Sequence, residues 1–546
     1  MKKNKHILLI TAIILCAGNF VFGQGNERSI PALRKQGSAT QLIVKGQPFL
    51  VLGGELGNSS ASDLNYLRPI WEKLKLMNCN TVLTPVYWEL MEPEKGQFNF
   101  TLLDSLIENA RKYEMKLVLL WFGSWKNSMS CYVPSWIKRD YQNYPRARDE
   151  KAIPQEILTP FSPANLQADI NAFRAMMTHI KEKDEKEQTV IMVQVENEIG
   201  MLPNARDYHP EATKAFKGEV PKQLIQYLQK NKNKLSPSVF EAWKQAGFKT
   251  NGSWEELFGK GLATDEFFMA WYFADFTNKV AEEGKKIYPL PLFVNAALNR
   301  PNVKQGDYPS GGPLPHLMDI WKAATPAIDF LSPDFYNPDF SYWNDLYTRG
   351  DNPLFIPEIR FEPSVAAKVF YAVGHYDAIG FSPFSIESTD TGEDEPLGKS
   401  YKVLSQLSPL IHQHQGKNTM DGSLLDKKMT ADTVTFSDYV FTVKHDYTLG
   451  WSPKAKEDIW PQTGGLVIQT APDEFIIAGT GIVVTFSSDQ IDKGKVGILT
   501  MEEGVYTHGQ WMPGRTMNGD QSHQGRHLRF EVGHYGIQKI KLYRYK

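Results

Sequence analysis

Apolar and polar segments alternate regularly along much of the chain. Between about residues 45 and 390, short apolar runs are separated by longer amphipathic or polar stretches, a pattern typical of strand and helix units around a parallel sheet. Eight such runs occur, and no glycine-rich phosphate loop follows the early ones. We therefore predict an α/β fold of the (β/α)8 TIM-barrel type rather than an open doubly wound sheet. The predicted strands are residues 48–55, 80–88, 116–123, 189–196, 290–296, 328–336, 353–359 and 378–385.

Two regions depart from this alternation. Residues 201–264 are rich in Lys and Asn and only weakly periodic, which predicts a helical insertion after the fourth strand, over the face where barrel active sites lie. After about residue 420, apolar and polar residues alternate one by one between Gly, Asp and Pro, which predicts an antiparallel β-sandwich. The predicted organisation is a catalytic barrel over 24–415 followed by a β-sandwich domain over 420–546.

The first 23 residues have the order of a secretory signal. Three lysines precede an apolar run from Ile7 to Ala17, which is too short to span a bilayer, and the small residue Gly23 follows. Leu15 stands directly before Cys16, where a lipoprotein signal needs a small residue. We therefore expect a signal peptide cleaved after Gly23 and a periplasmic or secreted protein.

Composition narrows the class of protein further. The 546 residues hold 60 Lys and Arg against 62 Asp and Glu, so no strongly basic surface is indicated and we expect no nucleic-acid partner. Cys79 and Cys131 are predicted to lie at opposite ends of the barrel, free and buried. His412 and His414 have no carboxylate or Cys at ligand spacing, so we predict no metal and no cofactor.

Two predicted strand ends carry candidate chemistry. The fourth strand ends in Asn197 and Glu198, and the seventh ends near Glu358. Reacting groups of TIM barrels lie at the carboxyl ends of the strands. Retaining glycoside hydrolysis needs two carboxyl groups there: one protonates the leaving oxygen, and the other, about 5–5.5 Å away, attacks the anomeric carbon. The pair Glu198 and Glu358 therefore predicts this reaction.

These residues resemble the retaining glycosidases of clan A. Residues 84–100, TPVYWELMEPEKGQFNF, are similar to the second-strand signature W-x-x-x-E-P-x-x-G-x-F-x-F of glycoside hydrolase families 35 and 42. The opening Gly53-Gly54-Glu55 of the first strand resembles family 35, the β-galactosidases. The resemblance covers roughly residues 40–400 and implies a retaining β-galactosidase.

The resemblance also implies roles for four residues. By it, Glu198 is the acid/base and Glu358 the nucleophile. Asn197 would hydrogen-bond the 2-hydroxyl of the sugar, and Tyr336 would hold the nucleophile ionised and oriented.

This sequence departs from family 35 at positions that touch the sugar in the relatives. The usual His two places after the strand-one Glu is Gly57, and residues 121–127 read WFGSWKN in place of a segment that bears Asn and Glu. The sequence therefore specifies the type of reaction more closely than the identity of the sugar. Galactose is favoured, and arabinopyranose and fucose are the next candidates.

Further residues at strand ends are candidates for lining the sugar subsites. Such residues would act by hydrogen bonding for Glu and by ring stacking for Trp, or would pack under the loops instead. We expect Glu196, deeper in the barrel than Glu198, to be a structural partner of an Arg or Lys. The subsite candidates are Glu55, Trp88, Trp121, Trp125 and Glu387.

The predicted function is an exo-acting, retaining β-galactosidase that removes terminal galactose from plant-type oligosaccharides or polysaccharides. One alternative is another clan A activity, such as a β-arabinopyranosidase, a β-fucosidase or an endo-acting hydrolase. A second is a carbohydrate-binding protein without catalysis. The two carboxyl groups at strands four and seven argue against the second alternative.

Overall fold

A computed structural model describes residues 30–488 and 494–546. The predicted signal peptide, residues 1–23, lies outside these residues. The described chain begins with a small antiparallel sheet ahead of the barrel, in which the middle strand pairs with both others. Its strands are β1 (Ala32–Gln36), β2 (Ala39–Val44) and β3 (Gln47–Phe49).

A closed eight-stranded barrel follows. The strands close in the order β4–β5–β6–β9–β10–β11–β12–β13, and every neighbouring pair is parallel. Each predicted apolar segment overlaps one barrel strand, so the TIM-barrel prediction is confirmed. Strands β7 and β8 form a separate hairpin between β6 and β9. The strands are β4 (Val51–Glu55), β5 (Thr81–Tyr87), β6 (Lys116–Phe122), β7 (Arg146–Arg148), β8 (Pro154–Leu158), β9 (Val190–Val195), β10 (Leu292–Ala297), β11 (Phe330–Phe335), β12 (Ile356–Ile359) and β13 (Gly380–Pro383).

Helices surround the barrel, and short ones fill the predicted insertion. The side chain of Ser162 accepts a hydrogen bond from the backbone of Asn165, and Pro163 occupies the first helical position, so local sequence sets the start of α6. Among the helices described, none combines the length and apolarity needed to cross a membrane. The helices are α1 (Leu64–Leu67), α2 (Ile70–Leu76), α3 (Trp88–Met91), α4 (Thr101–Lys112), α5 (Ser135–Arg139), α6 (Pro163–Asp184), α7 (Pro210–Phe216), α8 (Lys222–Lys230), α9 (Pro237–Gln245), α10 (Trp254–Phe258), α11 (Leu262–Ile287), α12 (Met318–Ala324), α13 (Phe340–Tyr347), α14 (Val365–Tyr376) and α15 (Pro396–His414).

The carboxyl-terminal part consists of two antiparallel sheets packed face to face. One sheet has the strand order β14–β17–β18–β23–β20–β21, and the other has the order β15–β16–β19–β22. Val467 and Phe475 of the first sheet share a core with Phe441 and Val484 of the second. The predicted sandwich fold is therefore confirmed. The strands are β14 (Met420–Leu425), β15 (Ala431–Phe436), β16 (Tyr439–His445), β17 (Thr463–Ala471), β18 (Glu474–Thr480), β19 (Ile482–Ser488), β20 (Lys495–Thr507), β21 (Gln510–Thr516), β22 (Leu528–Arg529) and β23 (Tyr535–Tyr545).

The part of the larger sheet that β17 and β18 form is buried on both faces. Leu466 and Ile476 alternate with the sandwich-facing residues and belong to the core of the barrel instead. Helix α14 approaches the sheet so closely that a Cβ atom on Gly374 would lie 2.9 Å from the Cα of Gly422. This glycine contact fixes the sandwich rigidly against the outside of the barrel.

Both cysteines of the described residues are free and buried, as predicted. Burial raises the pKa of the Cys79 thiol to about 12. The thiol is therefore protonated and unreactive at neutral pH.

Candidate active site

The chain makes a sharp turn where β9 ends, and this turn presents Glu198 to the barrel mouth. Glu196 and Glu198 both have left-handed backbones, with φ of 62° and 46°. The backbone N–H of Glu198 donates a hydrogen bond to Asn295 Oδ1 at 3.0 Å, which ties the turn to β10. Glu198 is half-buried, whereas Glu196 is fully buried. Glu196 and Glu198 are only two positions apart in sequence, and the turn places them in different surroundings.

Three carboxyl groups face one space at the carboxyl ends of β9, β11 and β12. One oxygen each from Glu198, Asp334 and Glu358 lies within 4.8 Å of the other two. Glu358 is 6% exposed and Asp334 1%. Three such oxygens are also a set that a hard cation would accept. However, Asp334 and Glu358 already receive hydrogen bonds from neutral donors, an amide and a phenol, which suits proton chemistry.

Tyr336 contacts the predicted nucleophile. Its hydroxyl donates a hydrogen bond to Glu358 Oε1, as the predicted role requires. Burial and the negative charge of Glu198 raise the pKa of Glu358 to about 7. The positive charge of Lys126 and the hydrogen bond from Tyr336 act against this rise. The protein thus supplies a cation and a donor that favour the ionised form of a carboxyl group in a dry site.

Asn197 belongs to a buried amide network behind the two acids. Its Nδ2 donates to the Lys126 carbonyl at 3.3 Å, and its Oδ1 accepts from Gln194 Nε2 at 2.9 Å and from Asn295 Nδ2 at 3.2 Å. Asn295 Nδ2 also donates to Asp334 Oδ2 at 2.7 Å. Sequence reasoning missed Asn295 and Asp334. The available signal was a polar residue near the end of an otherwise apolar strand.

Glu55 and Lys126 lie on the opposite side of the mouth. Both are buried. Burial, and next the charge of Glu358, raise the pKa of Glu55 well above its ordinary value, while Lys126 lowers it. Glu55 is therefore placed at the site as predicted. Lys126, to which no role was assigned from the sequence, is a cation that acts on both Glu55 and Glu358.

Glu387 also lies at this side, held by the segment after β4. Its Oε1 accepts a hydrogen bond from the backbone N–H of Gly57 at 2.9 Å and another from the Ser60 hydroxyl. Its Oε2 is buried and has no donor among the described residues. A Cβ on Gly57 would lie 3.0 Å from Glu387 Oε1, so the absence of a side chain there lets the carboxylate reach the backbone.

The three predicted subsite tryptophans are packed under the loops. Trp88, Trp121 and Trp125 have no exposed surface. Trp88 Nε1 donates to Glu92 at 2.7 Å, Trp121 Nε1 donates to Asp169 at 2.9 Å, and Trp125 packs edge-on against two phenylalanines of α11. These three rings therefore pack in the interior and are not available to stack on a sugar, which corrects the prediction. Residue type and position near a strand end do not reveal how exposed a ring is.

Glu196 has an acidic partner rather than the predicted Arg or Lys. Its Oε2 accepts the Trp125 backbone N–H at 2.8 Å, its Oε1 is buried with no hydrogen-bond partner among the described residues, and the acid Asp169 lies beside it. Burial and the negative charge of Asp169 raise the pKa of Glu196 well above its ordinary value. The ionisable group beside Glu196 is thus an acid and not an Arg or Lys, which corrects the prediction.

Two family models match separate parts of the chain. Residues 62–257 match the glycoside hydrolase family 42 model, described as β-galactosidase. Residues 397–529 match a model described as a domain of unknown function (DUF5597). The first match includes Asn197 and Glu198 and ends before Glu358.

Two curated relatives have similar identities. Beta-galactosidase-1-like protein 3 of Homo sapiens is 26% identical over 195 residues, which cover 34% of this chain and 28% of that protein. The beta-galactosidase of Xanthomonas manihotis is 25% identical over 187 residues, which cover 33% of this chain and 28% of that protein. The chain thus spans little more than a quarter of the length of these relatives.

Solved structures with a similar fold include glycosidases. A beta-galactosidase from Bacillus circulans sp. alkalophilus has a TM-score of 0.45 at 16% identity, over 66% of this chain and 57% of that one. The catalytic domain of a beta-amylase from Paenibacillus polymyxa has a TM-score of 0.46 at 14% identity, over 65% of this chain and 97% of that one. Residues 62–257 are thus similar to part of the β-galactosidase model of glycoside hydrolase family 42, and membership of family 35 stays a prediction.

Proposed function

We propose that this chain is a retaining, exo-acting β-galactosidase that releases terminal galactose from plant-type oligosaccharides. The observation that carries the proposal is the approach of Glu198 and Glu358 across the barrel mouth, with carboxyl oxygens within 4.8 Å. Retaining enzymes have carboxyl groups about 5–5.5 Å apart, whereas inverting enzymes need about 6.5–9.5 Å to admit a water molecule. The short separation supports double displacement.

In the first step, Glu358 attacks the anomeric carbon and Glu198 gives its proton to the departing oxygen. The bond between the sugar and this oxygen breaks as the bond to Glu358 forms. Lys126 and the Tyr336 hydroxyl favour the ionised form of Glu358 that this step requires. In the second step, Glu198 takes a proton from water, which then releases the sugar from Glu358.

An exo-acting enzyme needs a closed pocket for one terminal sugar. Glu55, Lys126 and Glu387 are buried polar residues at the mouth, and they would form part of the wall of such a pocket. Galactose is the sugar that the matching family supports. Arabinopyranose and fucose remain the alternatives, because Gly57 and the segment 121–127 depart from family 35 at positions that touch the sugar in that family.

The test is hydrolysis of a panel of aryl β-glycosides followed by NMR. We expect the β-galactoside to be the best substrate and the β-anomer of galactose to appear first. An α-anomer formed first would overturn the retaining mechanism. Faster hydrolysis of the arabinopyranoside or the fucoside than of the galactoside would assign that sugar instead. Tight sugar binding in calorimetry without turnover of any glycoside would support the non-catalytic alternative.

We also propose that the chain acts in the periplasm or outside the cell. The support is the order of residues 1–23 in the sequence. Amino-terminal sequencing of the protein recovered from its native compartment tests this proposal. The expected first residue is Gln24, and recovery of the intact leader in the cytoplasmic fraction would contradict it.

A further inference from the structure

Asp334 is a buried acid in the site that double displacement does not itself require. It lies on β11, two residues before Tyr336, and is 1% exposed. Its Oδ2 accepts the hydrogen bond from Asn295, whereas its Oδ1 is buried and has no donor among the described residues. Glu198 and Glu358 each place a carboxyl oxygen within 4.8 Å of an Asp334 oxygen, and of these two Glu358 already accepts the Tyr336 hydroxyl. A protonated Asp334 gives one of these carboxyl groups a donor, whereas an ionised Asp334 adds a third acceptor to a buried group of acids.

The surroundings indicate which of the three acids holds a proton most firmly. Glu198 is half-buried and can be hydrated, and Glu358 has the Tyr336 hydroxyl and the charge of Lys126 to support its ionised form. Asp334 is almost fully buried, and no donor among the described residues contacts its Oδ1. Burial, and next the negative charges of Glu358 and Glu198, raise the pKa of Asp334 well above its ordinary value. Asp334 is therefore the neutral member of the group.

We propose that Asp334 is a positioning residue whose neutral carboxyl group donates a hydrogen bond to the ionised carboxylate of Glu198. This inference rests on the proposed function, because it concerns the acid/base of that reaction. It assigns to Asp334 the orientation of Glu198 and the stabilisation of the charge that Glu198 acquires. Asn295 completes the arrangement, since it holds Asp334 through Oδ2 and the Glu198 backbone through its own Oδ1.

The proton balance of the reaction is unchanged by this role. Glu198 transfers its own proton to the leaving oxygen and becomes a carboxylate in the glycosyl-enzyme. Asp334 keeps its proton and donates it only as a hydrogen bond. Water then returns a proton to Glu198 as its hydroxyl attacks the sugar. The bond from Asp334 makes Glu198 a stronger acid in the first step and holds it in place in the second.

The first test compares the pH dependence of kcat/KM in Asp334→Ala, Asp334→Asn and the wild type. The basic limb of this profile reports the loss of the proton from Glu198. In Asp334→Ala we expect the basic limb to move up by about one pH unit, the order for losing a hydrogen bond to a charged group. Asp334→Asn keeps a donor towards Glu198 and an acceptor for Asn295, so its limb should lie closer to that of the wild type.

Asp377→Asn is the matched control. Asp377 is also a largely buried acid, with a pKa that burial raises to about 6, but it follows α14 at the opposite end of the barrel and bonds the Gly416 backbone. Its substitution should leave the basic limb in place. An unmoved limb in Asp334→Ala, or equal shifts in the Asp334 and Asp377 variants, would overturn the proposal.

A second measurement does not depend on activity or on the folding of Asp334→Ala. The melting temperatures of wild type and Asp334→Asn are compared from about pH 4 to pH 8. Because the pKa of Asp334 is higher in the folded than in the unfolded chain, the wild type should lose stability relative to Asp334→Asn as pH rises. A difference independent of pH would overturn the neutral state of Asp334. Absence of turnover with a pH-dependent difference would instead refute the proposed function alone.

Discussion

Glu196 and Glu198 are two residues apart at the end of β9, yet they belong to carboxyl clusters of opposite character. Glu196 is fully buried beside Asp169 under the loops, and its Oε2 accepts the Trp125 backbone N–H. Glu198 is half-buried and faces Glu358 across an open mouth. Each cluster places one acid beside another, which by itself favours a proton on one of them.

The difference lies in what surrounds each pair. The deep pair is enclosed by neutral donors, the Trp125 backbone N–H on Glu196 and the Trp121 indole on Asp169, and these bonds join β6, α6 and the turn after β9. The mouth pair has a cation, Lys126, that supports ionisation of Glu358, and one of its acids, Glu198, is partly exposed to solvent. Two neighbouring carboxyl groups thus have a structural role where loops bury them, and a catalytic role is possible only where solvent and substrate can reach them.

Replacing Glu358 tests the mouth cluster most severely. In Glu358→Ala we expect the rate to fall by at least about four orders of magnitude, because the covalent intermediate is lost. Circular dichroism should show an intact fold, and added azide should restore turnover with an inverted product. Substantial hydrolysis without azide would remove Glu358 from the mechanism. Glu196→Gln, a neutral change in the deep cluster, is the control and should retain activity.

Replacing Glu198 separates acid from nucleophile. In Glu198→Ala we expect kcat/KM to fall by about 10² to 10⁴ for substrates with poor leaving groups, because the leaving oxygen is no longer protonated. Activated aryl galactosides should be largely spared in the first step. The measurement is kcat/KM across leaving groups of graded acidity. An equal loss on all of them would contradict the acid/base role.

Replacing Glu196 should affect stability rather than chemistry. Glu196→Ala leaves the Trp125 N–H and Asp169 without their buried partner, so we expect a loss of about 1–3 kcal/mol in the free energy of unfolding. Urea denaturation measures this loss. Glu196→Gln should lose less, since its amide can donate to Asp169. A large fall in kcat with an unchanged free energy of unfolding would contradict the structural role of Glu196.

Replacing Lys126 should produce the smallest change, a shift of the acid limb. The charge of Lys126 lowers the pKa of Glu358, so in Lys126→Met that pKa should rise. Glu358 must be ionised to attack, and the acid limb of kcat/KM should therefore move to higher pH, by about one unit or less. Lys126→Arg keeps the charge and is the control. A limb that moves to lower pH in Lys126→Met would contradict this account.

The barrel and the two reacting acids could be predicted from the sequence because both depend on local features. Strands buried on both faces appear as continuous apolar runs, and all eight overlap a barrel strand. Acids at the ends of such strands must converge once the barrel closes, which places Glu198 near Glu358. The helix start at Ser162 was predictable for the same reason, since a cap involves residues close in sequence.

The supporting residues could not be predicted in this way. Asn295 and Asp334 are single polar residues in apolar strands, and their importance lies in hydrogen bonds to one another and to the turn after β9. The tryptophans illustrate the reverse error. Their rings suit sugars, but the exposure of each ring depends on how loops from several strands pack over it. Trp88 and Trp121 have no exposed surface.

The order and length of the apolar runs therefore specify the barrel, the sandwich and the strand ends that bear acids, because periodicity and burial are encoded locally. Packing between segments distant along the chain assigns the state of each acid. Glu196 and Glu198 have the same side chain and nearly the same position. Their difference arises from the neighbours that β6, α6, β10, β11 and β12 bring to them, since solvent access and nearby charge determine whether a carboxyl group keeps its proton.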